Sequence, residues 1–285
     1  MKKITCLLVA LSFAITVSAA PSKRWKNGGT STGVSTVKFG THDWLLWKGY
    51  LLAKDDVDLS WLNDKRHYAF FGTEAPDLGK SKLQKSFRNQ IDGNYKDTSP
   101  CHCILYDDGQ DMFQPFAADR VEVEFAKAKA AIEDENWKLA AFYVGAMSHY
   151  IADLSQFMHL MGSGSRWNGG IGEDQDVHAD YEKVFENRVN FQTKKLPLME
   201  DYIEAATITA DNPRDITIEV GLFTDTGGGT DQTPGEMYET VLGYHEDGIH
   251  MKPDQWDQEF LDQSGKTINK AANAIAKLLR MLMED

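Results

Sequence analysis

Apolar residues recur along this chain at intervals of three and four, the spacing that places them on one face of an α-helix. Alternation of apolar and polar residues, which predicts strands, is scarce, and the sequence shows no internal repeat. We therefore expect an all-α fold, built as one multi-helix domain. The expected helices cover about residues 42–52, 59–71, 115–135, 135–160 and 258–282, and a further helix begins near residue 176.

The boundaries of the first helices follow from residue type. Thr41 is the expected N-cap of the first helix, because its hydroxyl can accept a hydrogen bond from an N–H group of the first turn. Gly72, Pro76 and Gly79 are expected to break the chain after the second helix. Residues 80–116 have the Asn, Asp, Gly and Pro content of an irregular segment.

The amino-terminal residues have the composition of a targeting segment. Two lysines precede an apolar run from Ile4 to Val17, and small residues ending at Ala19 form a cleavage motif. This pattern is typical of a secretory signal peptide over residues 1–19, and the apolar run is too short for an ordinary membrane span. We expect an exported protein, secreted or periplasmic.

Composition narrows the classes of function. The formal net charge is −13, so the general surface lacks the excess of Lys and Arg that binds nucleic acid or anionic membranes. Cys101 and Cys103 are the only cysteines after the expected cleavage, and a disulfide between residues two apart is strained. Size and bound metal, rather than disulfides, are the expected sources of stability.

Histidines and carboxylates in the middle of the chain have the spacing of metal ligands. His149 and Asp153 are four residues apart, as are His178 and Glu182, so each pair lies on one face of a helix. His159 follows His149 on the same expected helix. One such pair alone equally suits a solvent-exposed helix, but His149 lies in an apolar segment where an unpaired imidazole is costly to bury. The five residues together predict a multinuclear metal centre, with zinc as the favoured ion.

These residues resemble the bacterial zinc-dependent phospholipase C family, whose all-helical fold is shared by fungal single-strand nucleases. The matching segments are HYxxDxxQxMH over residues 149–159 and HxxYE over residues 178–182. The family also uses an amino-terminal Trp, an early His, an Asp after the second helix and a His in the following loop. The resemblance gives these roles to Trp25, His42, Asp77 and His102.

The resemblance implies three zinc ions. The first would be held by Asp77, His102, His149 and Asp153, the second by His159, His178 and Glu182, and the third by Trp25, His42 and a bridging Asp153. Asp77 is also the residue that the family suggests as the general base. Clustered zinc ions lower the pKa of water and hold the attacking and leaving oxygens of a phosphodiester.

Trp25 can ligate zinc through its amino group only if it becomes the amino terminus. Cleavage after Ala19 would leave residues 20–24 ahead of it, and Lys23-Arg24 resembles a trypsin-like processing site. We expect residues 20–24 to be a propeptide and residues 25–285 to form the phospholipase C-like domain. The alternative is that Trp25 packs within an amino-terminal arm.

The resemblance implies an exported phosphoric ester hydrolase, with phospholipase C activity first. The expected partner is a phospholipid or another phosphodiester, and peripheral membrane contact is compatible with it. Where the family holds choline with acidic and aromatic residues, this chain offers Gly28, Leu78 and Ser99, which do not indicate a choline pocket. The alternatives are a single-strand-specific nuclease, which the acidic surface disfavours, and a non-catalytic protein whose helices are stabilised by zinc.

Overall fold

A computed structural model describes residues 40–80, 83, 85–106, 112–162, 181, 199–226 and 258–284. The expected signal peptide and propeptide, the choline-region Gly28 and the helix expected to begin near residue 176 fall outside these residues, save for Tyr181. Three of the expected ligands, Trp25, His178 and Glu182, also lie outside them.

The described residues are predominantly helical, which confirms the expected all-α class. The helices are α1 (Thr41–Ala53), α2 (Ser60–Asp64), α3 (Arg66–Leu78), α4 (Lys85–Arg88), α5 (Phe116–Glu133), α6 (Trp137–Leu154), α7 (Pro213–Asp225) and α8 (Gln258–Leu282). Short 3₁₀ turns cover Ser99–His102, Phe157–His159 and Met199–Tyr202. Three-residue strands β1 (Ile104–Tyr106), β2 (Met112–Gln114) and β3 (Leu160–Gly162) form one small sheet.

Helix α6 lies at the centre of the core. Its residues 140–154 are all buried, and it packs against α3 on one side and α5 on the other. Helices α1 and α8 pack together and also contact α6. The carboxyl-terminal end of α6 is therefore surrounded by protein, although it carries two of the polar residues that the sequence predicts as ligands.

Two glycines bring the backbones of α3 and α6 into direct contact. A Cβ atom on Gly145 would lie 1.9 Å from the carbonyl oxygen of Ala69, and one on Gly72 would lie 2.0 Å from that of Phe142. Both distances are far below any real carbon–oxygen contact, so only glycine fits at this crossing. The close approach places the last two turns of α3 beside the last two turns of α6.

The expectation that Gly72 and Pro76 end the second helix was wrong. The expected helix is divided at Lys65 into α2 and α3, and α3 continues through both residues to Leu78. Gly72 allows the close approach of α3 to α6, because it has no Cβ atom. Helix α3 ends only at Gly79, where φ is +71°. Asp77 consequently lies on the last turn of a helix and not in a loop.

The expected long helix over residues 135–160 was also wrong. Helix α6 begins at Trp137 and ends at Leu154, and His159 lies on a separate 3₁₀ turn rather than on the helix of His149. At the end of α6 the Ser155 hydroxyl donates to the Ala152 carbonyl at 2.6 Å. Such side-chain bonds compete with the helical pattern. Gln156 then adopts an extended backbone, which turns the chain.

In the described part of residues 80–116, which were expected to be irregular, the structure contains α4, the 3₁₀ turn at Ser99–His102 and strands β1 and β2. Strand β1 pairs parallel with β3, with Ile104 opposite Leu160, and antiparallel with β2. Three-residue strands are too short to show an alternating pattern in a sequence. Because His102 shortly precedes β1 and His159 immediately precedes β3, their parallel pairing places the two histidines near each other.

At the start of α1, the expected N-cap was displaced by one residue. Gly40 occupies the N-cap, without a side-chain hydrogen bond, and Thr41 is the first helical residue. The last helix covers the expected residues 258–282, with its apolar stripe buried. Among the described helices, none combines the length and the apolar content needed to cross a membrane.

Candidate metal centre

Four histidines surround one buried carboxylate. Asp153, on the last turn of α6, is 3% exposed. Its Oδ1 lies 3.0 Å from His42 Nε2 and 3.8 Å from His159 Nε2, and its Oδ2 lies 2.7 Å from His102 Nδ1 and 3.1 Å from His149 Nε2. We refer to the set of six residues as the Asp153 cluster: His42, Asp77, His102, His149, Asp153 and His159.

One side of the cluster has the dimensions of a zinc site. His102 Nδ1 lies 3.0 Å from His149 Nε2, and both nitrogens are within 3.1 Å of Asp153 Oδ2. Ligands at about 2.0–2.2 Å around a tetrahedral zinc ion are separated by about 3.3 Å. A carboxylate oxygen of Asp77 lies within 4.8 Å of the His102 and His149 ligand atoms. These four residues offer the imidazole and carboxylate donors that zinc prefers.

The other side of Asp153 faces a second group of donors. His42, His149 and Asp153 offer ligand atoms that lie within 4.8 Å of one another. The rings of His42 and His149 stack at 4.3 Å with an 8° interplanar angle. Because Oδ1 of Asp153 faces His42 while Oδ2 faces His102 and His149, the carboxylate is oriented to bridge two cations.

Hydrogen bonding at His149 selects its tautomer. Its Nδ1 lies 2.7 Å from the carbonyl oxygen of Thr73, an acceptor, so Nδ1 carries a proton and Nε2 of the neutral ring carries a lone pair. That lone pair faces Asp153 Oδ2, also an acceptor, at 3.1 Å. Such an approach is repulsive unless a proton or a metal ion is shared between the two atoms. Histidines that bind a metal through one ring nitrogen usually donate a hydrogen bond from the other to a backbone carbonyl, a carboxylate or water.

The two ring nitrogens of His102 have different surroundings. Nδ1 lies beside Asp153 Oδ2 and His149 Nε2, whereas Nε2 is buried and, within the part of the chain that the structure describes, has no hydrogen-bond partner. An ion beside Asp153 would therefore reach Nδ1 and not Nε2. The residues present fit a zinc centre in donor type, in spacing and in the close approach of His149 Nε2 to Asp153 Oδ2.

The charge of Asp153 suits the same role. Burial acts to raise the pKa of its carboxyl group. When a proton and not a metal ion lies between His149 and Asp153, the charges of His149 and His159 and the hydrogen bonds from His102 and His149 outweigh this effect. The pKa of Asp153 is held well below its usual range, so the carboxyl group stays ionised. Metal ligands must be deprotonated, and this environment keeps Asp153 ready to bind.

The loop that carries His102 is braced against the helices by Asp97. Its backbone N–H donates to the Pro76 carbonyl at 2.8 Å, and its carboxylate accepts hydrogen bonds from the Tyr150 hydroxyl and from Arg120 Nε, the latter at 2.9 Å. Arg120 Nε also lies 3.2 Å from the Tyr150 hydroxyl. Tyr150 follows His149 on α6, so the brace links the loop directly to a helix of the cluster.

Three further residues near the cluster were not identified from the sequence as site residues. The thiol of buried Cys103 lies 3.8 Å from His159 Nδ1, and burial raises its pKa well above the usual value, so it is a neutral thiol. Asp43 and Thr73, both fully buried, form a hydrogen bond of 2.5 Å. Burial raises the pKa of Asp43 to about 7, against the lowering effect of Thr73. The sequence offered one signal for these residues, which is their position near expected ligands. Cys103 directly follows His102, Asp43 directly follows His42, and Thr73 precedes Asp77 by four residues.

The structure thus brings together six of the nine residues that the sequence predicts as ligands. His159 is the most peripheral of the six, with a side chain 13% exposed and a distance of 3.8 Å to Asp153. It belongs to neither of the two compact donor groups among the described residues. The remaining three, Trp25, His178 and Glu182, lie outside the described residues.

Comparison with known proteins gives one family. A family model described as zinc dependent phospholipase C matches residues 43–218, which is more than half of the chain. A search of curated proteins found no match. The matched range begins one residue after His42 and contains the other five members of the Asp153 cluster.

Among solved structures, the chain is similar to one described as a crystal structure analysis of Clostridium perfringens alpha-toxin isolated from avian strain SWCP. The TM-score is 0.46 and the sequence identity 15%, over 86% of this chain and 64% of the toxin chain. The chain therefore spans less than two thirds of the length of the toxin.

Proposed function

Because the chain belongs to the zinc-dependent phospholipase C family, we propose that it hydrolyses a phosphodiester with zinc held at the Asp153 cluster. The observation that supports this most strongly is the pair of donor groups that share His149, one containing His42 and Asp153 and the other Asp77 and His102. Each group is buried and combines imidazole with carboxylate, the ligand chemistry of zinc. Because Asp153 Oδ2 also lies 2.7 Å from His102 Nδ1, its carboxylate adjoins both groups, which suits a multinuclear centre.

The proposed ligands follow from this geometry and from the family. One ion would take Asp77, His102, His149 and Asp153, and a second would take His42 with the bridging Asp153. We propose that Trp25 completes the second set and that His159, His178 and Glu182 hold a third ion. When bound, zinc lowers the pKa of water and stabilises negative charge on phosphate oxygens.

The chain's own residues have distinct parts in this chemistry. The Thr73 carbonyl orients the His149 ring, and Asp153 supplies a negative charge that stays ionised in a buried site. We propose that Asp77, 7% exposed at the end of α3, accepts the proton from the attacking water through its carboxylate. Surrounding protein excludes bulk water, which strengthens every charge interaction within the cluster.

A phospholipid is the proposed substrate, by analogy with the family. The acidic net charge of −13 disfavours long nucleic acid, because few cationic side chains are left to replace its counterions. Leu78, which follows Asp77 in the sequence, is 43% exposed and is one of the exposed large apolar residues in the described part of the chain. We propose export through the segment at residues 1–19 and peripheral contact of this region with a lipid surface.

One observation favours a second candidate, a non-catalytic role for zinc. The cluster draws its residues from three helices and two 3₁₀ turns, so bound zinc would join separate segments of the fold and raise stability. In that case zinc would increase the melting temperature without any hydrolysis.

The test uses zinc-loaded protein, purified after export and processing to Trp25, with phospholipid vesicles of several headgroups and with a single-stranded oligonucleotide. Release of phosphorylated headgroup by the wild type, lost in Asp153→Asn and retained in His67→Ala, would support the proposal. His67, on α3 outside the cluster, is the matched control for loss of a histidine. Oligonucleotide cleavage alone would replace phospholipase with nuclease activity, and zinc-dependent stability without hydrolysis would leave the structural role.

A further inference from the structure

A hydrogen bond outside the ligand set joins the helices that carry the ligands. The Thr73 hydroxyl on α3 donates to Oδ1 of Asp43 on α1 at 2.5 Å, and both side chains are fully buried. Asp43 directly follows His42, and Thr73 lies one turn before Asp77. The bond therefore connects the helix that supplies a member of one donor group to the helix that supplies a member of the other.

Thr73 reaches the third helix of the cluster through its backbone. Its carbonyl accepts the hydrogen bond from His149 Nδ1 that turns Nε2 towards Asp153. The hydroxyl is also 2.7 Å from the Phe70 carbonyl, one turn earlier in α3, which restricts the side chain to the rotamer that meets Asp43. One residue thus contacts α1 with its side chain and α6 with its carbonyl.

The burial of Asp43 is hard to explain by stability alone. A carboxylic acid removed from water is costly. Hydrogen bonds from Thr73 and from the Gly40 backbone offset part of that cost, but Oδ2 of Asp43 has no hydrogen-bond partner among the residues that the structure describes. An apolar side chain of similar size would avoid that cost, and such replacements are often neutral or stabilising. A residue that lowers stability beside a ligand is typical of a functional site.

We propose that Asp43 and Thr73 are positioning residues that preset the metal centre through their hydrogen bond. The bond holds α1 against α3, so that His42 keeps its position on the ring face of His149 and the Thr73 carbonyl keeps its position at Nδ1. Neither residue is a member of the two donor groups; both act through their neighbours. This inference rests on the proposed zinc centre and adds to it the residues that set its affinity.

The experiment measures zinc affinity by competition with a chromophoric chelator, and the melting temperature of the zinc-free protein, for three variants. Thr73→Val removes the hydroxyl and keeps the shape, Thr73→Ser keeps the hydroxyl, and Asp43→Leu removes the acceptor. We expect Thr73→Val and Asp43→Leu to weaken zinc binding by about 10-fold each, the lower end of the effect of supporting residues. Thr73→Ser should stay within about 2-fold of the wild type, since the bond is preserved.

Two comparisons separate positioning from a purely structural role. Asp43→Leu should melt no lower than the wild type without zinc although it binds zinc more weakly, because the buried carboxyl group is gone. The double variant Thr73→Val/Asp43→Leu should bind zinc about as weakly as either single variant, because one shared bond is lost in all three. Should Thr73→Val fail to fold, Asp43→Leu and Thr73→Ser still carry the comparison.

The outcomes distinguish this inference from the proposed function. Wild-type affinity in both Thr73→Val and Asp43→Leu would overturn the positioning role while leaving the zinc centre intact. Equal weakening by Thr73→Ser and Thr73→Val would overturn the role of the hydroxyl. If the wild type itself bound no zinc, the proposed function would fail, and this inference would fail with it.

Discussion

The residues of the Asp153 cluster are held in place by two different means, which divide them into a helical side and a turn side. On one side, Asp77, His149 and Asp153 lie on α3 and α6, whose backbones touch at Gly72 and Gly145. On the other side, His102 and His159 lie on 3₁₀ turns held by a pairing of three-residue strands and, for His102, by the Asp97 brace. Close-packed helices set positions through many contacts, whereas the turns depend on a few hydrogen bonds. The backbone packing of the helical side should therefore determine whether the protein folds. The hydrogen bonds that hold individual ligands, made by Asp97 on the turn side and by Thr73 on the helical side, should determine how tightly it binds metal.

The largest effect is expected where the two sides meet. Asp153→Asn removes the charge that lies within 3.1 Å of His42, His102 and His149 while keeping the size of the side chain. We expect zinc content to fall and hydrolysis to decrease by at least about 100-fold, because both proposed ions would lose a ligand. Elemental analysis and a headgroup-release assay measure this, with His67→Ala as control. Normal rates in Asp153→Asn would rule out a bridging carboxylate.

The crossing of α3 and α6 can be disrupted by a substitution that changes none of the expected ligands. In Gly145→Ala the new methyl group would meet the backbone of Ala69, which cannot move aside as a flexible side chain would. We expect a loss of about 1–3 kcal/mol or more in the free energy of unfolding, measured by urea denaturation of the zinc-free protein. Glu122→Ala, at an exposed position of α5, is the control. A Gly145→Ala protein as stable as the wild type would show that the crossing is not tight.

On the turn side, a substitution should lower the stability of the zinc-bound protein more than that of the zinc-free protein. Tyr150→Phe removes the hydroxyl that bonds Asp97 and Arg120 but keeps the buried ring. We expect about 1 kcal/mol lower stability, together with weaker zinc binding because the loop of His102 is less restrained. The measurement is the same denaturation curve with and without zinc. Equal changes in both curves would indicate that the brace supports the fold and not the metal centre.

The smallest expected effect concerns the two thiols on the turn side. Burial raises the pKa of Cys103, so its thiol stays protonated and unreactive near neutral pH, whereas Cys101 is partly exposed. Iodoacetamide at pH 7.5 should modify Cys101 well before Cys103, as judged by mass spectrometry of peptides. Because the folded-state pKa of Cys103 is raised, its labelling should increase only at higher pH. Equal labelling of both thiols would show that the turn opens readily.

The difference between the helices and the short turns also explains which positions could be predicted from the sequence. His149 and Asp153 were recognisable because a spacing of four is read directly as one helix face. The last helix, residues 258–282, was predicted for the same reason. Asp77 was located by resemblance, but its place on a helix was missed, since Gly72 and Pro76 are usual helix breakers and the contact that requires Gly72 is tertiary.

The positions of His102 and His159 depend on pairing between segments far apart in the chain. Residues 104–106 and 160–162 pair over three residues, a length that carries no periodic signal. The role of Asp43 was missed for a similar reason, because an acid in the first turn of a helix is usually exposed there. Only the packing of α1 against α3 reveals that it is buried and bonded to Thr73.

The most direct test of the central claim is an anomalous difference map at the zinc edge, from crystals of the zinc-loaded protein after processing to Trp25. The account predicts one peak among Asp77, His102, His149 and Asp153 and another between His42 and Asp153. Two such peaks would establish the Asp153 cluster as the zinc centre on which the proposed hydrolysis depends. Zinc bound elsewhere, with no peak within the Asp153 cluster, would contradict the account.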